Sequence, residues 1–127
     1  MNTIRLLVVL AATLCMSSAE KSIDTDRKIS NCKVYVPNAF SPNDDGINDE
    51  FLPLPGSDCI ISDYQMNIYD RNGSLVFQSK SSTEGWNGKH RGEPAPIAVY
   101  YYVFQYTLNA GPGEEKELVT GDLSLLR

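Results

Sequence analysis

Between Tyr64 and Ser79 the chain reads YQMNIYD-RNG-SLVFQS, two runs of alternating strand-forming residues around Asn72-Gly73. That dipeptide tolerates positive φ at both positions, as a two-residue type I′ turn requires, so the segment is predicted to form an antiparallel hairpin. With Asn72-Gly73 as the loop, Asp70 pairs with Leu75, Tyr69 with Val76 and Ile68 with Phe77. Side chains alternate across a strand, so Tyr64, Met66 and Ile68 share a face with Phe77, and that face is the predicted core.

The rest of the chain follows the same grammar. Strand-like runs occur at Lys33–Pro37, Val99–Leu108 and Leu118–Leu126, separated by stretches rich in Gly, Pro, Asn, Asp and Ser. No stretch has sustained helical periodicity. Short strands at such spacing predict an all-β fold, an Ig-like antiparallel β-sandwich of about seven strands. Tyr100, Tyr102, Phe104 and Tyr106 form a row on one face of their strand, with Val99, Tyr101, Val103 and Gln105 on the other. Such a row serves as core or as a carbohydrate-stacking platform, and the core reading is the one adopted. Asn109–Lys116 reads as a turn-forming loop. On the returning strand Leu123 and Leu125 point one way and Asp122 and Ser124 the other.

The 127 residues have room for one domain. A formal net charge of -5 argues against sequence-independent binding to nucleic acid, which needs a cationic face. Residues 1–19 have the layout of a secretory signal peptide: Arg5, then the apolar run Leu6–Leu14, then small residues at Ser17-Ser18-Ala19. The apolar run is too short to cross a bilayer, and no other segment is long and apolar enough to do so. Lipidation at Cys15 would want a small residue before the cysteine, where Leu14 stands. Residues 20–31 are polar and read as a flexible lead-in. The domain proper is residues 32–127, exported and free of a transmembrane span. Its two cysteines, Cys32 and Cys59, predict a disulfide in an oxidising compartment, worth about 3 kcal/mol by the loop-entropy model.

Asn43-Asp44-Asp45-Gly46-Ile47-Asn48-Asp49 crowds oxygen-bearing side chains around one glycine. Two readings are open. Asn43, Asp45, Asn48 and Asp49 are candidate ligands for calcium, a hard cation that takes six to eight oxygens. The same residues also build Asx turns, in which side chains accept from nearby backbone N–H groups without metal. An EF-hand does not fit, because aligning Gly46 with the loop glycine puts Ser41 at the first position and Leu52 where a bidentate Glu belongs. Catalysis is not expected. The single His90 lies in the basic stretch Lys89-His90-Arg91, and no nucleophile elbow, metal-binding His pair or phosphate loop is present.

Five motifs occur in one order: VPNAFSPNDDGINDEF from Val36, IYDRNGSLVF from Ile68, Trp86-Asn87-Gly88, PIAVYYY from Pro96, and the terminal GDLSLLR. Together they resemble the gliding motility-associated C-terminal domain of Bacteroidota, the type B sorting domain of the type IX secretion system, over Cys32 to Arg127. This chain has Asp44 where the family usually has Gly, Asn72 where a Trp is common, and Ala98 where a Gly is usual. The resemblance implies a non-catalytic address. It would carry a protein from the periplasm across the outer membrane to the cell surface or medium, read by the type IX translocon and its outer-membrane partners. Asn38, Arg71, Leu125, Leu126 and Arg127 are the candidate recognition residues. The family also implies cargo ahead of the domain, whereas only the export signal and the lead-in precede Cys32 here. The domain is then itself the product, a remnant of a larger gene, or a companion to cargo made elsewhere. A calcium-stabilised Ig-like adhesive or structural surface module is the alternative role.

Overall fold

The computed structural model describes residues 32–110 and 113–127. The export signal, the lead-in and Cys15 lie outside the described residues. Nine strands occur in chain order: β1 (Val34–Tyr35), β2 (Ala39–Phe40), β3 (Leu54–Pro55), β4 (Ile61–Tyr69), β5 (Leu75–Ser79), β6 (Lys89–His90), β7 (Glu93–Pro94), β8 (Ala98–Ala110) and β9 (Gly113–Leu125). There is no helix among the described residues.

One five-stranded sheet, ordered β2-β9-β8-β4-β5, carries the fold. The pairs β1-β3 and β6-β7 stand apart from it. The aromatic and β-branched residues of β4 and β8 suit a pleated, half-buried surface. Their alternation puts Met66 opposite Phe104 and Ile68 opposite Tyr102. Tyr100, Tyr102, Phe104 and Tyr106 are buried, as the core reading of the aromatic row required, and Leu123 and Leu125 join them from β9.

A second layer of short strands and irregular chain closes over this face. Phe51 and Trp86 exchange backbone hydrogen bonds of 2.9 and 3.0 Å in an isolated bridge. The Phe51 ring lies 5.4 Å from that of Tyr102, and the Trp86 ring packs edge-on at 4.9 Å from that of Tyr100. Phe40 completes the group 5.3 Å from Trp86. The result is an all-β sandwich with one regular sheet and one irregular layer.

Four details differ from expectation. The sheet is mixed, because β2 runs parallel to β9, with Ala39 beside Ser124 and Phe40 beside Leu125. The β4-β5 turn is a three-residue loop rather than a type I′ pair. Gly73 alone has positive φ, at 79°, and its N–H donates to the Asp70 carbonyl. A bulge follows, so Ile68 pairs with Phe77 as predicted but Tyr69 pairs with Leu75. The expected Asn109–Lys116 loop is largely strand, since the β8-β9 ladder continues through Asn109 with Glu114 to Ala110 with Gly113. Finally, a bulge between Ser62 and Gln65 moves Asp63, at φ 50°, out of the β4 ladder, where its Oδ2 accepts a 3.0 Å bond from the Thr107 hydroxyl.

Cys32 and Cys59 form a disulfide over 27 residues of sequence. It ties the start of the described chain to the segment after β3.

Candidate functional site

The candidate recognition residues fall into separate places. Asn38 has an exposed side chain, and its carbonyl accepts from the Ser124 N–H at 2.9 Å, holding β2 to β9. Leu125, expected as an exposed contact, is a core residue with no exposed surface. Its partner across the β2 edge is Phe40, and both are drawn inward by the apolar layer. Leu126 keeps 49% of its surface exposed while its N–H donates to the Phe40 carbonyl.

Arg127 is exposed overall, yet its guanidinium is engaged. Nη1 donates to the Ala95 carbonyl at 2.8 Å, and Nη2 makes a long 3.4 Å contact to the Gly88 carbonyl. The Ala95 N–H donates to that same Gly88 carbonyl, so the arginine clasps the loop that carries β6 and β7. The clasp depends on Gly88. Its φ is 74°, and a Cβ there would meet Pro42 at 2.8 Å and Leu125 at 2.9 Å.

Arg71 lies on the β4-β5 turn and lines a cleft of about 390 Å³. Other walls include Asp70 and Asn72 from the same turn, His90 and Glu93 from β6 and β7, Ile97 just before β8, and Val99 and Tyr100 from its start. Asp70 shapes the turn, its Oδ1 accepting from the N–H groups of Asn72 and Ser74 at 2.8 and 2.9 Å. Burial pushes the Tyr100 phenol above its ordinary pKa of 10.0, opposed by the Arg127 charge and reinforced by Asp70. The Tyr100 hydroxyl donates to the Pro96 carbonyl at 2.7 Å. A half-exposed apolar rim adjoins the cleft on the outer face of the sheet, made of Leu75, Val99 and Tyr101. The cleft brings the β4-β5 turn against the later run from β6 to the start of β8, and His90 and Glu93 were not foreseen as part of it. The only sequence signal for their position is the turn-rich stretch that folds β6 back on β7.

The acidic loop between β2 and β3 is organised around Asp49. Its Oδ1 accepts from the N–H groups of Asn43 and Asp44 at 3.1 and 2.9 Å, and its Oδ2 from Gly46 at 2.7 Å. Asn43 Oδ1 accepts from Asp45 N–H, and Asp45 Oδ1 from Ile47 N–H. Asn48 takes part through its carbonyl, which accepts from Ser41 N–H at 2.8 Å. Asp44, Gly46 and Asn48 all have positive φ, which Asp and Asn bear better than other side chains do. The carboxylates thus bond the loop's own backbone, in the Asx-turn arrangement.

The described residues form a mixed all-β module with a self-bonded acidic loop and a surface cleft. The family model of the CHU_C type IX secretion signal domain matches residues 34–121, and the chain belongs to that family. No curated protein matches the chain. The family is one of secretion signals rather than of catalysts, and membership implies interaction with the secretion system. No helix among the described residues is long and apolar enough to cross a membrane.

Proposed function

We propose that this domain is a non-catalytic address that directs export across the outer membrane by type IX secretion and delivers its bearer to the cell surface. The family match over residues 34–121 carries the reading. The translocon and its outer-membrane partners read a folded surface, centred on the cleft beside Arg71. The charged turn, the basic β6 stretch and the apolar rim offer a receptor mixed chemistry in one place, as recognition surfaces do. Leu126 and Asn38 flank the β2-β9 edge and form a second contact. Leu125 and Arg127 serve this function indirectly, one through the core and the other by clasping the loop behind the cleft.

The test is a fusion of residues 20–127 behind an export signal and a reporter, in a host that has this translocon. Reporter at the cell surface is the expected result, and reporter retained in the periplasm rejects the proposal. Arg71→Glu should reduce delivery while leaving the melting temperature unchanged, because Arg71 is exposed on a turn.

A further inference from the structure

Among the described residues, the sheet ends in an edge that is left unpaired. β9 is 13 residues long, and β2 covers its outer side only at Ser124 and Leu125. The register identifies which backbone groups face that side. Ser124 and Leu126 donate their N–H groups to β2, each at 2.9 Å. Direction alternates along a strand, so Asp122, Thr120, Leu118 and Lys116 aim their N–H and C=O groups along the same edge. No described strand lies there. The opposite edge, β5, is only five residues long.

An open edge is a template for another strand, and the charges on it select which. Glu114, Glu115, Glu117 and Asp122 stand against Lys116 alone. A second copy pairing antiparallel through Leu118, the register that uses most of the free edge, would set Glu114 opposite Asp122, a like-charge pair that disfavours self-pairing there. On the sheet face, on the β8 side of β9, Asp63, Gln105, Lys116 and Leu118 line a separate depression of about 290 Å³. We propose that the β9 edge takes an extended basic segment of a partner protein by strand addition. The backbone ladder supplies affinity and the glutamates select lysine or arginine. This inference stands on the edge alone and does not depend on the sorting role.

The probe is an end-capped peptide of about nine alternating Lys and Thr residues, the length of the free edge. Its controls are a Glu/Thr counterpart and a Lys/Thr peptide N-methylated at every second amide. The Lys/Thr peptide should bind saturably and slow hydrogen exchange at the Lys116, Leu118 and Thr120 amides by about tenfold or more. The Glu/Thr peptide should not bind, and N-methylation should abolish the protection. Thr120→Pro removes an edge donor that β8 does not use, and should weaken binding about tenfold. Should that variant fail to fold, Glu114→Lys with Asp122→Lys leaves the backbone intact and should transfer preference to the Glu/Thr peptide. Absence of saturable binding at millimolar peptide, equal binding of the N-methylated peptide, or self-association through β9 would each overturn the proposal.

Discussion

Gly88 shows how one residue couples the core to the surface. Its positive φ and the 2.8–2.9 Å approaches of Pro42 and Leu125 leave no room for a methyl group. Gly88→Ala should cost about 2–4 kcal/mol, the sum of left-handed strain and overpacking. It should also loosen the Arg127 clasp. Urea unfolding measures the first effect, and a melting curve equal to that of the parent would refute it. The buried tyrosines make a different prediction. Burial pushes Tyr64 from 10.0 up to about 12, and burial also raises Tyr100, Tyr102 and Tyr106. The fold favours the neutral phenol, so this contribution is complete below the unfolded pKa and is lost as pH climbs from about 10 toward 12. Unfolding midpoints should therefore fall through that window, and Tyr64→Phe should make the fall shallower.

At the scale of elements, what the sequence revealed depended on how local each signal was. The β4-β5 hairpin, the buried aromatic row of β8 and the shared face of Leu123 and Leu125 all follow from alternation within one run, but alternation did not say that this face is buried, and Leu125 was expected to be exposed. β2 gave no such signal, because Ala39-Phe40 is too short to alternate, and its parallel partner lies at the far end of the chain. The Phe51-Trp86 bridge and the cleft around Arg71 join distant segments and leave no periodic trace. Arg71-Asn72-Gly73 was recognisable as a turn, but its exact closure was set by the Asp70 carboxylate. The acidic loop offered two readings from one composition. Since its carboxylates already bond backbone N–H groups, chelating or adding calcium should leave the melting temperature unchanged. Asp49→Ala removes three acceptor contacts and should cost about 2 kcal/mol. A rise in melting temperature at millimolar calcium would restore the metal reading.

For the molecule as a whole, the two layers are unequal. One is a long-stranded sheet, while the other consists of two-residue strands and loops held by Phe40, Phe51 and Trp86. A two-residue strand pair has little stability of its own. The Cys32–Cys59 disulfide therefore matters most where regular structure is thinnest. Reduction, or Cys59→Ser, should lower stability by about 3 kcal/mol, measured as a shift in denaturant midpoint with and without reductant. Unchanged midpoints would show that the irregular layer holds without its crosslink.

Trp86 is the chain's one tryptophan and has no exposed surface. Its indole N–H donates to the Lys89 carbonyl at 2.8 Å, from within the weaker layer. The molecule thus contains a natural optical gauge. Its emission colour registers whether that layer is seated, and the tyrosines of the long ribbons behind it, Tyr100 at 4.9 Å among them, reach that signal only through the energy they pass on.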